Sequence, residues 1–246
     1  MNGRFLYFVP PDNKLKPESK VFYCNKHEDF YFNSSIRSLH EKYVSMNEQI
    51  SLVHPKHQIA HFIKDKRLRC GTRWNQANHV LLLVQIKTVS HWVMGRLDMK
   101  SRIIYLYNSL RTPKYEAASL LALEPYSIML SLFFSLLGVY NELPYTLPAS
   151  MNPTAPFPIV NVEVLPEQVD NDCGAFVAAL AEYFIEGKNI LANIDVKNVE
   201  SEPESPLKSP KKTKAKVRGK AKAKANQDMI EYVDNLFLNY TAMLKN

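Results

Sequence analysis

The sequence predicts an α+β fold in which a central, mostly antiparallel sheet is flanked by helices. Three neighbouring segments, HVLLLVQI, HWVMGRLD and RIIYLYNSL, are apolar and rich in β-branched residues. The short turn-like connections KTVS and MKS separate them, and strands joined so closely pair antiparallel. With 246 residues, 46% of them apolar, the chain can bury one sizeable core. We therefore expect one folded domain with appended segments.

Two helices are predicted before and after these strands. Ile36, Leu39, Tyr43 and Met46 recur at helical spacing behind a candidate cap at residues 33–35, Asn-Ser-Ser. Residues 114–140 also favour a helix, with a break expected at Pro125. The uncharged stretch 126–140 is shorter than the roughly 20 residues of a membrane span, so a buried core helix and no membrane association are expected.

The last third of the predicted domain contains a Pro-rich loop, one more strand and one more helix. The loop holds five prolines, at positions 144, 148, 153, 156 and 158, and the segment IVNVEVL after it favours a strand. The segment EQVDNDCG then leads into AFVAALAEYFIEG, whose alanines, apolar spacing and terminal Gly187 favour a helix of about three turns. Cys173 therefore lies at the predicted start of a helix.

Composition divides the chain into four parts. Residues 1–70 form an N-terminal helical or irregular part, divergent or truncated, whose first 30 or so positions show no clear period. Residues 71–198 form the core of the domain. Residues 199–226 are rich in Ser, Pro, Lys and Ala without an aromatic residue, so a disordered basic insert is expected. Residues 227–246 regain helical spacing and are expected to return to the core.

The net charge of +7 comes from the insert. Nine Lys or Arg residues lie within residues 208–224, which exceeds the net charge, so the rest of the chain is slightly acidic. The run has three readings: a solvated spacer, a nuclear import signal, or a weak nucleic-acid contact through phosphates. We favour an import signal recognised by an import receptor, and hence a nuclear or nucleocytoplasmic location.

The three cysteines, Cys24, Cys70 and Cys173, are widely spaced and odd in number. The start of the chain lacks an apolar signal-peptide core, so a reducing, intracellular setting is expected. Cys24 with His27, and Cys70 with His79, do not have the spacing of a zinc finger. No metal and no cofactor are therefore expected.

Four residues could together carry out acyl transfer. Cys173 lies where the N–H groups of a helix start favour a thiolate, which is the nucleophilic form. His91 begins one strand and Asn108 ends the next, so a hairpin brings the two together as a base and the group that orients it. Gln168 could donate to an oxyanion. Each of these residues on its own could also have a purely structural role. A lone Cys at the end of an element, for example, usually packs as a small apolar residue.

Two alternatives stay open among the site residues. Asp98 is another acid for the base, although it lies at the turn end of the strand that His91 begins. Glu167 neighbours Gln168, but a carboxylate would repel an oxyanion, which favours Gln168.

Several ordered motifs resemble the ubiquitin-like-protein (SUMO-type) cysteine protease family, especially its plant-type members. They are His-Trp at residues 91–92, the strand end Tyr-Asn-Ser-Leu at 107–110, Pro-x-Gln before Asp-Cys-Gly, and the run DCGAFVAALAEYFIEGK. The resemblance extends from about Trp74 to Gly187 and resumes at NLFLNYTAMLKN.

The resemblance implies a papain-like or adenain-like fold and a protease that cleaves after a Gly-Gly tail through a thioester. It assigns His91, Asn108 and Cys173 to the triad and Gln168 to the oxyanion site. It makes Trp92 one wall of a substrate tunnel, and it makes a ubiquitin-like protein or its conjugates the partner. Asn108 departs from the family, which uses Asp, and the family's N-terminal Trp-Leu segment is not recognisable.

Two other functional classes remain open. A catalytically silent domain that binds a ubiquitin-like protein would also keep the fold, and the uncharged Asn108 is compatible with it. A related acyltransferase would use the same residues to pass the acyl group to an amine or hydroxyl instead of water.

Overall fold

The computed structural model describes residues 21–23, 27–64, 74–143, 146–163, 165–168 and 172–185. Cys24 and Cys70, the basic insert at 199–226 and the predicted C-terminal helix at 227–246 lie outside these residues.

A mixed five-stranded sheet forms the centre of the fold, with strands in the order β1-β2-β3-β4-β5. The strands are β1 (Val21–Tyr23), β2 (His79–Ile86), β3 (His91–Asp98), β4 (Ile103–Tyr107) and β5 (Ile159–Asn161). The pairs β2–β3 and β3–β4 are antiparallel, as predicted, whereas β1 and β5 pair parallel at the two edges. The α+β class and the central antiparallel strands are confirmed.

Helices cover both faces of the sheet. One face packs against α1 (His27–Ser45), α2 (Gln58–Ile63) and α3 (Pro113–Leu137), and the other packs against α4 (Cys173–Ile185). Along β3, Val93 and Leu97 belong to the first apolar cluster, while Met94 belongs to the second. This alternation is the two-residue period of a strand that is buried on both faces.

Helix α1 begins earlier than its sequence predicts, so residues 33–35 lie inside the helix and do not cap it. Their polar side chains have other partners. Asn33 Nδ2 donates to the carbonyl of Leu83 on β2 at 3.1 Å, and Ser35 Oγ donates to the carbonyl of Tyr31 one turn back. The guanidinium of Arg37 donates to the carbonyl of Gln85 at 2.7 Å. Helix α1 therefore continues the coverage of the β2 edge beyond the point where short β1 ends.

The expected irregular start is also wrong in part, because β1 and the first turns of α1 fall within or close to the first 30 residues. The short strand gains its order from pairing: Val21, Phe22 and Tyr23 lie in register with the first three residues of β2. A three-residue strand has no readable period, so the sequence alone could not show it. The later segment IVNVEVL is likewise strand only over Ile159–Asn161.

Helix α3 runs unbroken for 25 residues through Pro125, which contradicts the predicted break. Proline removes the bond to the carbonyl of Leu121, four residues earlier. The side chain of Leu121 is 68% exposed, so the freed carbonyl lies on the side of the helix that water reaches. By length and composition alone α3 could cross a membrane, but half of its apolar window is buried inside the fold. Its packing is that of a core helix.

The Pro-rich loop is held to the sheet by Arg102, which follows β3 in the turn to β4. Its guanidinium donates to the carbonyls of Asn152, Pro153 and Ala155 at 2.9 to 3.1 Å. The same group stacks over the ring of Tyr140 at 4.9 Å. These contacts fix the loop just before β5, so that β5 meets the edge of β4.

Candidate functional site

The candidate base, His91, is the first residue of β3 and is 1% exposed. Its Nε2 lies 2.8 Å from Oδ1 of Asn108, which follows the last residue of β4. The antiparallel register that pairs Met94 with Tyr107 makes the two residues diagonal neighbours on one face. The structure thus brings together two residues that the predicted hairpin places side by side.

The orientation of the Asn108 amide follows from its other partners. Its Oδ1 also accepts the backbone N–H of Leu110 at 3.0 Å, and a backbone N–H can only donate. The atom facing His91 is therefore an acceptor, so Nε2 of His91 carries the proton. The neutral imidazole keeps its lone pair on Nδ1, and Nδ1 is the atom that can take a proton from another group.

The ring of His91 is also packed from the side of α3. Tyr115, in the first turn of that helix, meets it edge-on with ring centroids 5.1 Å apart. Burial lowers the pKa of His91 below its ordinary value, and the hydrogen bond to Asn108 offsets part of this effect. The packing and the hydrogen bond therefore orient the His91 ring, and burial favours its neutral form.

Cys173 is the first residue of α4 and is 8% exposed. Burial raises the pKa of its thiol, while the nearby backbone N–H groups of Trp92, Gly174 and Cys173 itself act in the opposite direction. The neighbouring carboxylate of Asp172 raises the pKa further. The contact with the N–H of Trp92 places the sulfur beside the first peptide units of β3, where His91 is located.

The two pKa directions define the resting state of this pair. A lowered imidazole pKa and a raised thiol pKa both favour the neutral forms. Asn108, which orients the imidazole, is uncharged and therefore gives no electrostatic stabilisation to an imidazolium. Both shifts therefore favour a thiol and a neutral imidazole in this site.

Gln168 is half-buried beside the end of β4. Its backbone N–H donates to the carbonyl of Ser109 at 3.2 Å, and Ser109 Oγ lies 2.6 Å from its Oε1. This contact engages the oxygen of the amide, so donation to an oxyanion would come from its Nε2. The neighbouring Glu167 is exposed, and Gln168 remains the preferred candidate for the oxyanion site.

Trp92 follows His91 on β3 and its side chain faces α4. The ring is half-buried and packs against the apolar cluster around Phe176 and Met94. Its place next to His91, with its backbone N–H at the sulfur of Cys173, puts it at the margin of the candidate site.

The alternative acid Asp98 lies at the opposite end of β3 from His91. Its Oδ1 accepts the backbone N–H groups of Lys100 and Ser101 at 2.9 Å, and its Oδ2 lies 3.9 Å from His79 Nδ1. Burial, together with the charge of Arg96, lowers the pKa of His79 to about 4 despite Asp98. Asp98 therefore belongs to the turn and to a separate buried cluster.

Three residues that support the site were not identified from the sequence. They are Tyr115 against the imidazole, Ser119 against the amide of Asn108, and Ser109 against Gln168. A serine on the apolar side of a long helix is a usable signal, although α3 contains several of them. Within the described residues there is no group of three or more His, Cys, Asp or Glu that could hold a metal ion.

Comparisons with known proteins give a consistent result. Residues 24–203 match the family described as Ulp1 protease family, C-terminal catalytic domain, a range that includes α1 to α4 and all four candidate residues. No curated protein matches.

Two solved structures are similar over most of their length. One, titled "SUMO protease Ulp1 with the catalytic cysteine oxidized to a sulfonic acid", is 17% identical and covers 71% of this chain and 72% of its own, with a TM-score of 0.36. The other, "Crystal structure of the de-sumoylating protease", is 16% identical and covers 94% of this chain and 75% of its own, with a TM-score of 0.39. On the family match, which spans well over half of the sequence, this chain belongs to the Ulp1 protease family of cysteine peptidases.

Proposed function

We propose that the protein is a protease for a SUMO-type ubiquitin-like protein, with Cys173 as nucleophile, and that it cleaves after a Gly-Gly tail. The observation that carries the proposal is the arrangement at the start of β3. His91 is locked to Asn108 at 2.8 Å, and the Cys173 sulfur sits against the next peptide N–H. The family match and the titles of the two similar structures support the substrate class.

In the proposed first step, His91 Nδ1 takes the thiol proton while the Cys173 sulfur attacks the carbonyl carbon of the terminal glycine. The carbonyl oxygen becomes an oxyanion, which the Cys173 backbone N–H and Gln168 stabilise as donors. His91 then gives its proton to the leaving amine, and a thioester with the substrate tail remains.

In the second step, water attacks the thioester carbonyl and His91 takes one of its protons. The tetrahedral intermediate collapses, the C–S bond breaks, and the thiolate recovers the proton from His91. A free carboxylate on the Gly-Gly tail is the product. Asn108 accepts the Nε2 proton of His91 throughout, so the imidazole keeps its orientation in both steps.

The substrate tunnel that the family resemblance implies would, if narrow, explain a Gly-Gly requirement. In a narrow channel beside the Trp92 ring, a chain without Cβ atoms would pass more easily than one with side chains. The second wall is expected from the N-terminal part of the chain, of which residues 1–20, 24–26 and 65–70 lie outside the described residues.

The test is cleavage of a precursor that carries residues after its Gly-Gly tail. We expect wild-type protein to release the extension, and Cys173→Ser to slow release by at least about 1,000-fold, because loss of a nucleophile removes covalent catalysis. Circular dichroism should show that the variant stays folded. A second precursor with Gly-Ala in place of Gly-Gly serves as the specificity control.

A silent, binding-only domain is the second candidate, and the neutral resting pair favours it. It predicts that SUMO-type protein binds with equal affinity to wild type and Cys173→Ser while neither releases the extension. That outcome in a titration followed by a cleavage assay would overturn the proposed protease. An acyltransferase would instead transfer the tail to an added amine faster than to water.

The proposal for location concerns residues 208–224, whose nine positive charges fit an import receptor. A fluorescent reporter fused to residues 200–226 should accumulate in the nucleus, and the same fusion with the lysines replaced by glutamine should not. A cytoplasmic reporter would contradict the import reading.

A further inference from the structure

Ser119 lies on α3 behind the asparagine of the candidate site and is fully buried. Its Oγ donates to the carbonyl of Tyr115 one turn back, at 2.6 Å. With its hydrogen engaged there, Oγ presents lone pairs to Nδ2 of Asn108, which lies 3.2 Å away. The amide is thus held at both ends, by Leu110 N–H on its oxygen and by Ser119 on its nitrogen.

An asparagine at this position depends more on orienting hydrogen bonds than an aspartate would. The amide has one accepting and one donating end, so a rotation of half a turn would present N–H groups to His91. A carboxylate has two equivalent oxygens, and either one accepts the imidazole N–H. The need for an orienting partner therefore comes with the uncharged residue at position 108.

We propose that Ser119 is a positioning residue: it holds the Asn108 amide with its oxygen toward His91 and thereby keeps Nδ1 of His91 as the proton acceptor. The chain Tyr115 carbonyl, Ser119 hydroxyl, Asn108 amide and His91 imidazole then sets one tautomer in the resting site. The catalytic consequence rests on the proposed protease function, whereas the tautomer itself does not.

The kinetic test is a double-mutant cycle. Ser119→Ala should lower kcat/KM about ten-fold beside Asn108, the amount expected for one buried hydrogen bond. Beside Asn108→Asp, the same change should lower it no more than about three-fold, because the carboxylate needs no orientation. Equal losses in the two backgrounds would mean that Ser119 only packs, and would overturn the inference.

Ser131→Ala is the matched control, because Ser131 is on the same helix, equally buried, and also bonded to carbonyls. Alanine is favoured in helices, so both variants are expected to fold. Ser131→Ala should change thermal stability by a similar amount and leave kcat/KM unchanged.

A spectroscopic test works even if no substrate is found. Nitrogen NMR of His91, assigned by the signal lost in His91→Ala, should report the Nε2–H tautomer in wild type. Ser119→Ala should raise the share of the Nδ1–H tautomer, and Ser131→Ala should not. An unchanged tautomer in Ser119→Ala would contradict the inference, while a failure to cleave any substrate would count only against the proposed function.

Discussion

At the scale of single residues, the charge missing from position 108 is the feature with the widest consequences. His91 and Cys173 are both shifted toward their neutral forms by burial. The proposed protease would then need His91 as a general base and would not start from a preformed thiolate–imidazolium pair. The rate should therefore follow the protonation of one imidazole.

The pH dependence of kcat/KM should show this directly. A base works only when deprotonated, so activity should rise with pH through an apparent pKa below the ordinary histidine value of about 6.5. It should then stay level through neutral pH, because the raised thiol pKa puts cysteine ionisation in the alkaline range. An acid limb centred well above the ordinary histidine value would contradict this assignment.

Asn108→Asp should move that limb in a known direction. A carboxylate beside Nε2 stabilises the imidazolium, which raises the pKa of His91 and shifts the acid limb to higher pH. Alkylation of Cys173 by iodoacetamide at neutral pH should become faster, because imidazolium stabilises thiolate. Unchanged alkylation rates would show that the charge at position 108 has little influence on the pair.

At the scale of elements, the close packing of α3 against the sheet puts Asn108, Tyr115 and Ser119 within reach of each other. Gly95 on β3 permits this approach: a Cβ added there would lie 3.0 Å from Leu123 Cδ2 and 3.3 Å from Ile104 Cγ2. The side chains of both neighbours would have to shift, so α3 would move away from the strand or repack.

Gly95→Ala should therefore destabilise the protein by about 1 kcal/mol, the lower end of the cost of overpacking a core. Urea unfolding followed by tryptophan fluorescence measures this change. Leu121→Ala, on the exposed side of the same helix, is the control and should cost far less. A Gly95→Ala variant as stable as wild type would show that the contact between α3 and β3 can accommodate an added methyl group.

The loop anchored by Arg102 gives a second test of an element. Arg102→Ala removes three charge-assisted hydrogen bonds and leaves the carbonyls of the Pro-rich loop without their donor. We expect a loss of about 3 kcal/mol in the free energy of unfolding. Lys100→Ala, an exposed change in the same turn, should be nearly neutral in the same urea titration, and equal losses for the two would contradict the anchoring role.

At the scale of the whole molecule, the sequence predicts what depends on periodicity and chain proximity. Strands β2 to β4 follow from apolar runs rich in β-branched residues, helix α4 from its alanines and apolar spacing, and the meeting of His91 with Asn108 from a short hairpin. The predicted start of α1 was wrong. Asn33 and Ser35 resemble a helix cap in sequence, but they lie inside the helix and donate to the carbonyls of Leu83 and Tyr31.

What the sequence could not show depends on contacts between distant segments. The parallel pairing of β1 and β5 joins strands that are far apart in the chain. The support of Asn108 by Ser119 needs the tilt and depth of α3, which no local pattern encodes. The tolerance of Pro125 likewise depends on which side of that helix faces water.

In the proposed protease, Cys173 is the nucleophile for a substrate tail presented at the start of β3. A SUMO-type protein with an electrophile in place of its last glycine carboxylate tests this claim in one mass measurement. We expect a covalent adduct on Cys173 in wild type, slower formation in His91→Ala, and none in Cys173→Ala. No adduct with wild type, or an adduct that persists in Cys173→Ala, would contradict it.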